Sequence, residues 1–145
     1  MKLIVANSTE EMAKLSAKQA ADVLNAAIAK KGSARLLLST GASQLEFFKE
    51  FVKQDVAWHK VEMFHLDEYV GISPDHPASF NNYLTKRFVE KVLPGEVHLI
   101  CGLDDPFKTI AKLTELVNER EIDLGMIGIG ENAHIAFNDP PVDFN

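Results

Sequence analysis

The chain has 145 residues, 46% of them hydrophobic and 25% charged, a composition that supports one domain with a proper core and excludes a disordered, fibrous or repeat protein. Its 15 basic and 21 acidic residues leave a net charge of -6. That balance argues against a nucleic-acid surface and leaves any small anionic ligand to be held by locally placed amides or cations.

The lone Cys101 excludes an intrachain disulfide and a cysteine metal site, fits a reducing compartment, and reads as a small buried hydrophobe. Met1–Asn7 has an apolar core too short for a signal peptide or a membrane span. It is expected to form a first strand, and the protein to be cytoplasmic with no membrane partner.

Ser8 offers an N-cap and Glu10 and Glu11 first-turn acids. Met12, Leu15, Ala20, Val23, Leu24, Ala27 and Ile28 then recur at helical spacing up to Gly32, which predicts one long amphipathic helix. Ala34 to Leu38 reads as a short apolar strand of the kind found inside a parallel sheet covered on both faces. It runs into Ser39-Thr40-Gly41-Ala42-Ser43-Gln44, where a second helix begins with Leu45, Phe48 and Phe51 inward. A polar, glycine-containing turn at a helix amino terminus offers backbone N–H groups and hydroxyls to an anion. The turn lacks the lysine and spacing of a nucleotide loop, so an ordinary capped turn is the competing reading.

Val56 to Lys60 reads as a connection, and Val61 to Leu66 as a third strand that delivers Asp67 and Glu68 at its carboxyl end. One of these carboxylates is a candidate general base; the structural alternative is that Asp67 caps a turn while Glu68 is solvated. His65 and Asp67 alternate like a metal pair, but no third ligand stands at a useful spacing, so no metal is expected. After a proline-containing loop, Ser79 caps a helix to about Val92 with Phe80, Tyr83, Leu84, Phe88 and Val92 on one face. Val97 to Ile100 makes a further strand, Phe107, Ile110, Leu113 and Val117 mark a helix, and Asp123 to Gly128 reads as a final buried strand.

Strand and helix alternate throughout, which predicts a three-layer α/β/α fold, Rossmann-like and doubly wound on a mainly parallel sheet. Residues 1–145 are expected to be a single domain, incomplete at the carboxyl end, because the sequence stops inside a loop built for chemistry. That loop follows the last strand. Two glycines, Gly128 and Gly130, allow a sharp turn, and it carries Asn132, His134, Asn138 and Asp139. Strand ends of this kind are where open α/β sheets place ligands.

Three motifs in this order and spacing, Ser39-Thr40-Gly41-Ala42-Ser43, Leu66-Asp67-Glu68-Tyr69-Val70-Gly71, and Gly128-Ile129-Gly130 through His134-Ile135-Ala136-Phe137-Asn138, resemble those of the glucosamine-6-phosphate deaminase/isomerase family. The resemblance covers the chain from about Leu36 onward. It implies conversion of glucosamine 6-phosphate to fructose 6-phosphate and ammonia without a cofactor. It further implies that Asp67 carries a proton between C2 and C1 of the open-chain sugar, that His134 opens the ring, and that Ser39 to Ser43, with Gly128 and Gly130, hold the sugar phosphate.

Two departures stand out. Asn132 replaces an aspartate and Asp139 a glutamate, the two acids that orient and tune the histidine in the family. Ala42 and Gln44 replace a glycine and a proline. Family members are longer, and their carboxyl-terminal part is implied to add basic side chains around the phosphate, so the 145-residue chain alone is expected to be inactive. A homo-oligomer is left open. The related 6-phosphogluconolactonases share the fold but usually carry arginine after the acidic pair and threonine after the histidine, where this chain has Tyr69 and Ile135. A non-catalytic sugar-phosphate effector domain is the reading from another class.

Overall fold

A computed structural model describes residues 3–136 and 138. Helix α1 spans Thr9–Lys31, with the Ser8 side chain accepting from the Glu11 amide and Gly32 closing the helix in the left-handed region at φ 83°. Strand β1 (Ala34–Leu38) leads to α2 (Gln44–Phe51), and a single 3-10 turn (Trp58–Lys60) precedes β2 (Val61–His65). Helix α3 starts at Phe80–Leu84, widens into a π-helical stretch at Thr85–Val89 and ends in the turn Glu90–Val92. β3 (Glu96–His98), α4 (Pro106–Glu119) and β4 (Leu124–Met126) complete the described elements.

The four strands are all parallel and ordered β3-β2-β1-β4. Helices α1, α2 and α3 cover one face. Ala17, Ala20, Ala21 and Leu24 of α1, Phe47, Phe48 and Phe51 of α2, and Leu84 and Phe88 of α3 close over Leu36, Leu38, Val61 and Met63 of the sheet. An aromatic cluster fills the centre of this face, with Phe51 stacked on Phe88 at 5.6 Å and Trp58 edge-on to both. Each fully buried phenylalanine contributes roughly 1.5–3 kcal/mol. The opposite face carries α4, so the fold is the three-layer doubly wound arrangement that strand and helix alternation implies.

Several expectations are corrected. Residues 3–6 are not a strand. Leu3 and Val5 are 79% and 83% exposed, and Asn7 immediately donates its amide to the Glu11 carboxylate at 2.7 Å, turning the chain into α1. In α1 the buried stripe is Ala13, Ala17, Ala20, Ala21 and Leu24, while Met12 and Leu15 face outward. Small side chains let the helix lie close to α2 and the sheet, which a bulky stripe would prevent. Helix α4 buries none of its residues, and Phe107, Ile110 and Val117 are all exposed.

β1 is not apolar throughout. Arg35 is 1% exposed and pairs its Nε with Glu62 on β2 at 2.9 Å. Its remaining nitrogens donate to carbonyls at the end of α4, those of Leu116 (2.6 Å), Val117 (3.3 Å) and Arg120, and its guanidinium lies over the Phe64 ring. A buried cation is thus neutralised by a carboxylate and by the negative end of a helix. β3 and β4 are also shorter than expected, beginning at Glu96 and Leu124 and ending at His98 and Met126.

Candidate active site

Parallel strands all point their carboxyl ends the same way, so the loops after β1, β2 and β4 emerge on one rim. Between them lies a cleft of about 470 Å³ lined by residues 39–43, Asp67, Tyr69, Phe80, residues 128–131, His134 and Ala136.

The loop after β1 is stitched to the turn after β4. The Ser39 amide donates to the Met126 carbonyl at 3.1 Å, and the hydroxyl of Ser39, a buried residue, accepts from the Gly128 amide at 2.9 Å. Gly41 has φ 118°, a conformation L side chains rarely adopt. The carbonyls of Gly41 and Ala42 accept from the amides of Gln44 and Leu45, which starts α2. Among the described residues the amides of Thr40, Gly41, Ala42 and Ser43 have no acceptor, and the Ser43 side chain makes no capping bond. The loop therefore presents unsatisfied donors at the positive end of a helix.

The two acids after β2 divide their work in the opposite sense to the structural alternative raised by the sequence. Glu68 is the cap: its carboxylate accepts from the Ser79 hydroxyl at 2.7 Å, from the Asn81 amide at 2.8 Å and from the Tyr69 and Phe80 amides. Desolvation by burial pushes its pKa up, but these four hydrogen bonds together outweigh it and leave the pKa lowered. Asp67 lines the cleft instead. Burial raises its pKa first and the Glu68 charge second, with His134 acting in the opposite direction.

The turn after β4 folds back on itself. Ile129 and Ile135 form an antiparallel bridge, the Gly130 amide donates to the His134 carbonyl at 2.9 Å, and Ala133 and Ala136 sit at positive φ. Backbone held in this sparsely populated region is typical of functional turns. A Cβ on Gly130 would lie 2.5 Å from Nδ1 and 2.6 Å from Nε2 of His134, so the ring occupies the space that glycine vacates. His134 Nδ1 is hydrogen-bonded to Asn132 Oδ1. An amide oxygen only accepts, so Nδ1 carries the hydrogen and Nε2 is the basic nitrogen.

The structure thus brings Ser39, Thr40, Gly41, Ala42, Ser43, Asp67, Gly128, Gly130 and His134 to one cleft, with Asn132 exposed behind the imidazole. Asp139 lies outside the described residues. Sequence reasoning missed the aromatic wall formed by Tyr69 and Phe80, whose rings are 5.0 Å apart, the capping role of Glu68, and the Tyr83 hydroxyl, which donates to the Gly41 carbonyl at 3.0 Å. Only tertiary contact reveals these.

His65 and Asp67 are not part of any group of three or more clustered metal-ligating side chains among the described residues. His65 is buried, its Nδ1 accepting from the Ile100 amide at 3.4 Å. Glu62, Glu96 and His98 place ligand atoms within 4.8 Å of one another. Glu62 is already engaged by Arg35, Arg120 and His98, so a cation there would have to displace two guanidinium groups.

No helix among the described residues is long and apolar enough to cross a membrane. A family model described as glucosamine-6-phosphate isomerases/6-phosphogluconolactonase matches residues 7–137. The chain is 33% identical over 147 residues to a glucosamine-6-phosphate deaminase of Hahella chejuensis, covering 97% of this chain and 55% of the relative. It is also 33% identical to glucosamine-6-phosphate deaminase 2 of Bacillus subtilis, covering 99% and 59%. The chain therefore spans less than two thirds of these relatives' length. Among solved structures, a monomeric glucosamine-6-phosphate deaminase superposes with a TM-score of 0.86 at 28% identity, covering 99% of this chain and 61% of that one. A 6-phosphogluconolactonase from Shewanella baltica gives 0.79 at 19% identity, covering 90% and 57%, which shows the shared fold. By its sequence over most of its length, and in keeping with its fold, this chain belongs to the glucosamine-6-phosphate isomerase/6-phosphogluconolactonase family.

Proposed function

We propose that the protein carrying this chain is a glucosamine-6-phosphate deaminase, and that residues 1–145 form its sugar-phosphate isomerase-like unit. The observation that supports this best is the convergence of Asp67, His134 and the donor-rich loop Ser39–Ser43 on one cleft.

In this reading the amides of residues 40–43, at the amino end of α2, receive the phosphate, joined by the Gly128–Gly130 backbone. His134 Nε2 takes the proton of the anomeric hydroxyl and returns one to the ring oxygen, breaking the C1–O5 bond and giving the open-chain aldehyde. Asn132 holds the imidazole through Nδ1–H, which keeps Nε2 facing the sugar. Asp67 removes the C2 proton while the aldehyde oxygen gains a proton, giving an enediol-like (enolamine) intermediate. It then delivers the C2 proton to C1 as the amino group gives up the proton that balances the one gained by oxygen, leaving an imine at C2. Water then adds to the imine carbon, ammonia leaves, and the ketone of fructose 6-phosphate forms. A half-buried carboxylate with a raised pKa is a stronger base than a solvated one, which suits a proton shuttle between neighbouring carbons.

The test is turnover of glucosamine 6-phosphate against that of 6-phosphogluconolactone by the protein carrying this chain. The expected result is ammonia and fructose 6-phosphate from the first and no hydrolysis of the second. Asp67→Asn and His134→Ala should each lower kcat at least about a hundredfold. Wild-type rates in both variants would remove the catalytic assignment. Hydrolysis of the lactone alone would favour the hydrolase, and binding without turnover a sugar-phosphate effector.

A further inference from the structure

Two loops of the cleft, the one after β1 and the one after β2, are both tied to α3. The start of α3 is held by Glu68, whose carboxylate accepts from Ser79, Phe80 and Asn81. One turn on, Tyr83 donates its hydroxyl to the Gly41 carbonyl at 3.0 Å. We propose that α3 is a brace that fixes the donor loop relative to Asp67, and that Tyr83 is the positioning residue that holds the loop's amides toward a bound phosphate. The proposal rests on the phosphate reading of residues 39–43.

The geometry supports a fixed strut. The Tyr83 ring packs edge-on against Phe48 of α2 at 6.0 Å, and the Arg87 guanidinium lies over it at 4.6 Å. Burial raises the Tyr83 pKa, with Arg87 opposing, so the phenol keeps its proton as a donor at neutral pH. Its acceptor sits at the most freely rotating point of the loop, Gly41, with φ 118° and nothing within 4 Å of the Cβ position. The Gly41 carbonyl accepts from both Tyr83 and the Gln44 amide. Fixing that carbonyl fixes the peptide plane that presents the Ala42 N–H. A loop of glycine, alanine and serine would otherwise pay an ordering cost each time it met an anion.

Tyr83→Phe deletes the hydroxyl and keeps the ring against Phe48 and Arg87, so the fold should survive, as thermal melting will verify. Hydrogen exchange is read at the amides of residues 41–45, and binding is read with inorganic phosphate and with glucosamine 6-phosphate. Exchange at these amides should quicken about tenfold with β1 and β2 unchanged, and both ligands should bind about fivefold to tenfold more weakly, as expected for one lost hydrogen bond. In the active protein the loss should fall on KM, with kcat within about twofold. Unchanged exchange and unchanged binding overturn the proposal, as does a loss confined to kcat. Faster exchange in a variant whose parent binds neither ligand overturns the phosphate role and the reading on which it rests. Weaker binding in the variant alone sustains both.

Discussion

A methyl group on Gly130 would overlap the His134 imidazole, 2.5 Å from Nδ1. Gly130→Ala should therefore rotate or displace the ring from Asn132 and, with His134 in its proposed role, lower kcat at least about a hundredfold, because misplacing a proton-transfer group by about 1 Å costs that much. Global stability should change by less than about 1 kcal/mol, since the turn is exposed; steady-state kinetics beside chemical denaturation separate the two. At this scale the sequence was informative where chemistry and position coincide. Asp67, His134 and residues 39–43 stand at carboxyl ends of strands, and a parallel sheet brings such ends together whatever the details. Glu68 was opaque because the donors that define it come from Ser79, Phe80 and Asn81. Tyr83 was more so, since its acceptor lies 42 residues earlier. Nothing in the local pattern around either residue announces its partner.

Among the elements, β1 depends on a residue that breaks the rule for an inner strand. Arg35 joins Glu62 of β2 to the last carbonyls of α4, so one side chain holds the sheet and the far layer together. Arg35→Met should cost about 3–5 kcal/mol in denaturant unfolding, because Glu62 would be left buried with less compensation. The double substitution of Arg35 and Glu62 by Met should cost less than Arg35→Met alone, and an additive result would argue against coupling between the two. The helical faces show where pattern reading is limited. In α1 the stripe read from the sequence and the buried stripe share Ala20 and Leu24; the first adds Met12 and Leu15, which are exposed, and the second adds Ala13, Ala17 and Ala21. The close approach of α1 to α2 selects the second, a packing condition that no single segment encodes. In α4 the periodicity located the helix, yet Phe107 and Ile110 are exposed, because period reports a face without reporting what covers it.

For the molecule as a whole, acid stability follows from one buried imidazole. Burial lowers the His65 pKa from 6.5 to about 4, with Glu68 acting in the opposite direction. Below about pH 6.5 the unfolded chain takes up a proton that the folded chain refuses, so stability falls as the pH drops toward 4 and the loss levels off below that. The loss amounts to something on the order of 3 kcal/mol. Glu68 acts lower: its lowered pKa gives stability that is present above its ordinary value of 4.5 and disappears only as the carboxylate protonates. His65→Asn should flatten the decline between pH 6.5 and 4.5 in urea unfolding and leave the Glu68 decline below it. An unchanged profile would exclude His65 as the cause. The layered fold itself was readable from alternating periodicities, because short apolar strands joined by helices admit few other arrangements. Residues 3–6 were misread because an apolar run becomes a strand only where a neighbouring strand offers it a ladder.

β4 is the edge of the four-stranded sheet among the described residues and pairs only with β1. Among the described residues the imidazole thus follows a strand with one neighbour, while Asp67 follows a strand with two. Local opening of an edge needs far less free energy than global unfolding. Within the four described strands, fraying of the three residues of β4 would part His134 from Asp67 while the aromatic core stayed intact, so the geometry of the cleft is more sensitive to that short ladder than the fold is.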